Sequence, residues 1–295
     1  MILNKGGVVL LNKPKGYSSN KALVLVKKKF GVAKAGHCGT LDPLASGLLP
    51  ICLSEATKFS NLWLEADKEY IAMVYLGKIT TTYDAEGDVV QESNVPVLDV
   101  PLINKYLDLF RGEIEQTPPI YSALKYNGKP MYEYARNGIE IDMSIKKRSV
   151  IIKELEILNY TAPLLQIRVL CSKGTYIRSL AYDIGQVIGC GAYMSDLIRS
   201  QTMGFTLNQS IELDQLLAED TDNIHNYLQP IELLVQHLPV LYLSDAQIQD
   251  LHHGKIFMLE NINDSDYKVV DASQIFHGII SVTDGLAKVK RFMSM

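Results

Sequence analysis

The fifteen residues Gly36-His37-Cys38-Gly39-Thr40-Leu41-Asp42-Pro43-Leu44-Ala45-Ser46-Gly47-Leu48-Leu49-Pro50 restrict this chain more than any other stretch. They include three glycines, two prolines, one histidine and one carboxylate. Glycine opens backbone angles closed to other residues, and proline fixes φ and removes a donor. The stretch is therefore expected to be a stiff, shaped loop rather than a regular element. Asp42 precedes Pro43, which pushes it out of the helical region onto an extended or turn backbone. An acid held between Leu41 and Leu44 on such a loop is a candidate for chemistry. The alternative is an Asp that caps the segment Leu44 to Leu49, since Asp-Pro is common in turns.

With 295 residues the chain has room for one large domain, or for one large and one small. At 47% hydrophobic and 21% charged it has the make-up of an ordinary globular protein. No apolar run approaches the ~20 residues of a membrane span. The run Val8 to Leu11 is too short for a signal peptide, so the expected compartment is the cytoplasm. The cysteines Cys38, Cys52, Cys171 and Cys190 show no CxxC spacing. No zinc site or other metal site is expected, and a reducing compartment argues against disulfides. They read as small buried hydrophobes. Cys38 lies beside His37, but a nucleophile and its base must face each other in space, which adjacent residues seldom do.

The net charge of −4 argues weakly against a polyanionic partner, and its distribution argues the other way. Residues 1–60 carry nine lysines, Lys5 among them, against Asp42 and Glu55. Residues 212–295 carry thirteen acids against five cations. A basic N-terminal face suits phosphates. A solvated lysine-rich helix would account for Lys27 to Lys29 equally well.

Taken in order, Val8 to Leu11 reads as a short buried strand and Lys13 to Gly16 as a turn. Ser18, Ser19 and Asn20 offer N-caps to a helix running to about Phe30. A second helix is expected near Glu55 to Leu64, and a strand over Lys68 to Leu76, where residues alternate from Tyr70. Asp84 to Asp88 reads as a polar turn and lacks a calcium-loop pattern. Leu102 to Phe110 suits a short amphipathic helix. From Pro118 to about Met143, Tyr121, Tyr126, Tyr132 and Tyr134 interleave with Lys125, Lys129 and Arg136, a mixture suited to RNA. A packed excursion of the chain would also accommodate it. Ser149 to Ile157 and Leu164 to Cys171 look like paired strands, followed by a turn and a helix from about Tyr176. Arg178 then falls in the first turn of that helix, where a cation wants a carboxylate partner. Asp42 is the candidate, and Asp183 the competing one. Met194 to Phe205 reads as a strand, Glu212 to Leu217 starts a helix, and Thr221 to Ile231 looks like a linker. Short strands with Gly and Asp turns follow from about Pro239.

The string GHCGTLDPLASGLLP closely resembles the catalytic loop of the bacterial tRNA pseudouridine-55 synthases, the TruB family. The resemblance continues in Asn12-Lys13-Pro14-Lys15-Gly16, Glu55 to Phe59, Lys68-Glu69-Tyr70, Tyr121 to Lys125 and Cys171 to Arg178, and fades beyond about residue 205. It implies an α+β pseudouridine-synthase fold: a mixed, largely antiparallel central sheet flanked by helices. It places the catalytic domain at 1–235, with an RNA-clasping insertion at about 117–143, and a small PUA-like β domain at 236–295. The implied reaction isomerises uridine 55 in the T arm of tRNAs on a flipped-out nucleotide. It needs no cofactor, because no atoms are added and no redox occurs. The implied partner is tRNA alone, bound by a monomer with no obligate protein partner and no membrane. A synthase acting on another RNA, or a non-catalytic tRNA-folding chaperone, are the competing functions.

Carried over residue by residue, the resemblance makes Asp42 the essential carboxylate. Arg178 pairs with it, keeps it ionised and lowers its pKa. Tyr70 stacks on the flipped base and sits close enough for proton transfer. Tyr176 and Leu197 line the uracil pocket, and His37 contacts RNA near the flipped nucleotide. Lys13 and Lys58 touch phosphate or brace the loop. Taken singly, Tyr70 and Leu197 read as core residues and His37 as a structural histidine.

Overall fold

The computed structural model describes residues 6–139 and 141–294; Lys5 lies outside the described residues. The first strand, Gly6–Lys13, has apolar side chains on both faces. Val9 and Leu11 enter one core, while Val8 and Leu10 enter another on the opposite side. A strand covered on both faces reads as a continuous apolar run rather than an alternating one. The same logic governs Ser46–Ser54, whose Leu49, Ile51 and Leu53 face the first core and Leu48 and Cys52 the second.

That finding corrects the expectation for residues 36–50. Ala35–His37 and Ser46–Ser54 are paired strands, and only the residues between them form the loop. Burial on both sides prevails over the turn-forming glycines and prolines. Pro50 sits within the strand opposite Leu10, and its carbonyl accepts the Cys38 N–H at 2.9 Å. No helix follows Asp42, so the capping alternative fails.

Among the described residues the main sheet has eleven strands. Its path runs Ile211–Glu212, Gly6–Lys13, Ser46–Ser54, Ala192–Thr202, Lys68–Leu76, Leu164–Cys171, Arg148–Thr161 and Gly112–Gln116. Two pairings are parallel, the first strand with Ile211–Glu212 and Ser46–Ser54 with Ala192–Thr202; the others are antiparallel. The helices Ser19–Lys29, Val100–Leu107 and Ile177–Ile188 lend residues to the larger core. Ser18 caps the first of these, its hydroxyl accepting from Lys21 N at 3.1 Å, and three lysines end it, which suits the helix dipole.

The helix expected over Glu55 to Leu64 divides into a 3-10 turn, Glu55–Lys58, and a short helix, Ser60–Leu64. Thr221 to Ile231 is not a linker. Ile224 and Ile231 are buried, and Leu228–Gln229 adds a strand to the first one. Its apolar residues are spaced irregularly, so no period betrayed their burial. Beyond it, Val240–Tyr242, Ser265–Val270, Phe276–Thr283, Leu286–Phe292 and Phe257–Met258 make a second, five-stranded sheet. This sheet is docked on the first: Phe276, Ile279 and Met293 share a core with Phe59, Trp63 and Leu234.

Candidate active site

The loop around Asp42 is held from several directions. Ser19 Oγ donates to Leu41 O at 2.9 Å and accepts from Leu41 N at 2.8 Å, tying the loop to the start of its helix. Gly16 N donates to Pro43 O at 2.7 Å. The turn that carries Gly16 is braced by Lys13, whose fully buried ammonium donates to Pro14 O at 2.9 Å and Tyr17 O at 2.6 Å. Arg199 holds both limbs, with Nε on Leu48 O at 2.7 Å and Nη2 on Gly39 O at 3.2 Å. Gly47 makes this approach possible. It pairs with Arg199, lies at φ +105°, and a Cβ there would stand 2.4 Å from Arg199 O.

Arg178 reaches Asp42 from the start of the helix Ile177–Ile188. Its Nε lies 2.9 Å from Asp42 Oδ2, and its Nη1 lies 3.4 Å from Asp84 Oδ2. Nη1 also donates to Thr82 O at 3.3 Å, and Nη2 to Tyr121 O at 2.9 Å. The guanidinium thus bridges two carboxylates and two carbonyls. Asp183, the competing partner, does not pair with it, and burial pushes that carboxyl up to about 6. Burial raises the Asp42 carboxyl above its ordinary value; Arg178 opposes this, Asp84 adds to it and Lys13 opposes it. The net lowering expected from Arg178 does not occur, because loss of water outweighs one ion pair. Burial likewise pulls the Lys13 ammonium down to about 8.

Asp42 lines a cavity of about 580 Å³ together with His37, Lys68, Tyr70, Tyr176, Arg178, Leu197 and Arg199. Strand register explains part of this gathering. Arg199 lies opposite Tyr70 and Leu197 opposite Ala72 on neighbouring strands, so the three side chains share a face. Burial raises the Tyr70 phenol above its ordinary value, with Arg199 beside it opposing the rise. Burial first and Arg199 second lower the His37 imidazole, which favours its neutral form; its Nδ1 is buried without a partner among the described residues. Tyr176 stacks under Arg148, whose guanidinium carbon lies 4.9 Å from the ring centre. Gln116 fixes the Tyr176 backbone, accepting from its N–H at 2.7 Å and donating to its carbonyl at 2.9 Å.

Tyr121, Ser122, Ala123 and Tyr132 bring the expected insertion into the cavity wall. Lys13 stands behind the loop rather than in the cavity lining. Lys58 is not brought to the cavity: its ammonium donates to Glu55 at 2.8 Å, Phe292 O at 3.1 Å and Ser294 Oγ at 2.9 Å, joining the two sheets. Sequence reasoning missed Asp84, Arg148 and Arg199. Asp84 reads as one acid of a polar turn yet is 2% exposed. Arg199 sits within a strand, and only its register opposite Tyr70 would have marked it.

A carboxylate gripped by a guanidinium, beside a buried phenol and above an apolar floor, can attack or stabilise an electron-poor sugar carbon. The fold around it is shared with a chain of an H/ACA RNP solved bound to a substrate RNA containing 2′-deoxyuridine. That match has a TM-score of 0.75 at 24% identity, over 99% of this chain and 86% of the other. A Cbf5–Nop10–Gar1 complex gives a TM-score of 0.73, also at 24% identity, over 99% of this chain and 85% of the other. These place the chain among proteins of the pseudouridine-synthase fold.

The sequence comparisons are more specific. The TruB family pseudouridylate synthase N-terminal domain matches residues 27–177, and the tRNA pseudouridylate synthase B C-terminal domain matches residues 178–236. A tRNA pseudouridine synthase B of Chromobacterium violaceum is 49% identical over 84% of this chain and 80% of its own length. One of Haemophilus influenzae is 42% identical over 98% of this chain and 95% of its own. The chain belongs to the TruB family of pseudouridylate synthases.

Proposed function

We propose that this protein converts uridine to pseudouridine at position 55 in the T arm of tRNAs. Asp42 acts as the nucleophile on a flipped-out nucleotide. The observation that carries this reading is the Asp42–Arg178 pair, backed by Asp84, in the wall of a nucleotide-sized cavity beside Tyr70 and Leu197.

The target base leaves its stack and enters the cavity, as chemistry on a base requires. Tyr70 stacks on it, Leu197 and Tyr176 bound it, and neutral His37 fills space left in the loop. The ionised Asp42 carboxylate adds to C1′ as the N1–C1′ bond breaks. The freed uracil turns and C5 displaces the carboxylate. Over the whole reaction one proton leaves C5 and one is gained at N1, so no oxidant, reductant or cofactor is consumed. Arg178 keeps the carboxylate aimed while Asp84 prevents full neutralisation of it. The residues around 117–143, anchored by the Tyr121 carbonyl on Arg178, clasp the RNA arm. The protein works as a cytoplasmic monomer on tRNA, with no obligate protein partner, its domains dividing near residue 235.

The test is incubation of the purified protein with a single unmodified tRNA transcript. Pseudouridine at position 55 without added factors is the expected result. Tight binding with no product would replace this reading with that of a tRNA-folding chaperone. Product at a different uridine would replace the stated target.

A further inference from the structure

Three cations in the cavity wall, Arg148, Arg199 and Lys68, have no carboxylate at ion-pair distance among the described residues, and the last two are the most buried. Arg199 is 1% exposed and Lys68 is 7% exposed, yet among the described residues no carboxylate comes within ion-pair distance of either. Arg199 is held by the carbonyls of Leu48 and Gly39, and Lys68 by those of Leu64 and Ala66. A buried charge met only by neutral carbonyls is under-compensated. Burial first, and Arg199 as a lesser cause, lower the proton affinity of His37, Lys13 and Lys68. The carboxylates Asp42 and Asp84 lie on Arg178 instead.

We propose that Arg199, backed by Lys68, stabilises the uracil anion released when the N1–C1′ bond breaks. This rests on the reaction assigned above. In that step the bonding pair departs with N1, and the negative charge spreads over N1, O2 and O4 of the ring. The ribose carbon meanwhile gains an electron pair from Asp42, so one anion is exchanged for another. The electropositive wall stands beside Tyr70 and Leu197, where the freed base lies, whereas Arg148 is engaged over the Tyr176 ring, 4.9 Å from its centre. Fixed charge aimed at a developing anion in a water-poor site lowers the barrier without reorganisation.

The test uses a synthetic T-arm stem-loop carrying uridine or 5-fluorouridine at the target position. Fluorine stabilises the uracil anion by itself and so reduces the need for the wall. Under single-turnover conditions Arg199→Gln is expected to slow loss of uridine about a hundredfold, but loss of 5-fluorouridine by under about tenfold. RNA affinity should stay within about twofold of wild type, and Arg199→Lys should recover part of the rate. Because Arg199 also grips the loop, Lys68→Met serves as a second variant that leaves those contacts in place. It should lose about tenfold on uridine and less on 5-fluorouridine. Equal slowing on both bases in both variants would overturn the proposal and leave Arg199 a loop-holding residue. Weakened RNA binding with an unchanged single-turnover rate would overturn it in favour of a phosphate contact. A wild-type protein that leaves uridine unchanged would count against the assigned reaction itself, a different outcome from either.

Discussion

Arg178 and Arg199 are both buried guanidiniums lining one cavity, and they are supported in opposite ways. Arg178 lies between Asp42 and Asp84, so its side of the cavity carries acid matched to base. Arg199 has carbonyls and the Tyr70 phenol around it but no carboxylate at ion-pair distance, and Lys68 likewise has no ion pair among the described residues. The first side orients a nucleophile; the second keeps an unspent positive field. One cavity can thus aim the Asp42 carboxylate at the electron-poor sugar carbon before bond cleavage and favour an anion on the base after it. The Asp42 carboxyl is nonetheless raised rather than lowered: burial is the main cause, Arg178 opposes it, and Asp84 on the same guanidinium adds to the rise.

The comparison breaks hardest at Asp42. Asp42→Asn keeps the shape and removes the nucleophile, so product formation should fall at least ~10,000-fold while tRNA binding and the melting temperature hold. Single-turnover assay and a thermal melt check both halves. Arg178→Lys should lose about a hundredfold or more, because one ammonium cannot span Asp42, Asp84 and the carbonyls of Thr82 and Tyr121. Retained wild-type kcat in that variant would dissolve the contrast.

Asp84→Asn should have a milder effect, about tenfold, with a diagnostic pH signature. Asp84 raises the Asp42 pKa, so its loss lowers that pKa and moves the acid limb of the rate profile to lower pH. In the wild type that limb should lie above the ordinary range for Asp, since the nucleophile must be ionised. A limb that does not move when Asp84 is changed would separate the two acids. The smallest effect is expected outside the cavity. Lys58→Ala should cost about 1 kcal/mol of stability, read as a lower melting temperature, with the rate within about twofold of wild type.

Much of this was legible in the chain. The Lys68–Leu76 strand announces itself by alternation, and the structure places it as expected. A cation at a helix start and an acid on a stiff bend make Asp42 the candidate partner for Arg178, with Asp183 the competitor, and the structure pairs Arg178 with Asp42. Asp84 was illegible because its neighbours Glu86 and Asp88 make it look like one acid of a surface turn. Arg199 was illegible for another reason: its neighbours Tyr70, Gly39 and Leu48 become neighbours only through strand pairing. Ser46–Ser54 was misjudged because a strand covered on both faces has no period to detect.

The shared packing of Phe276, Ile279 and Met293 with Phe59 and Trp63 bears on how this polypeptide can be cut. A version shortened to end at residue 236 would strip those partners away, Phe276 from the Phe59 ring among them, and uncover part of that core. Such a fragment should clump rather than serve as a minimal catalyst. The acidic second sheet is therefore as much a lid on greasy surface as an appendage.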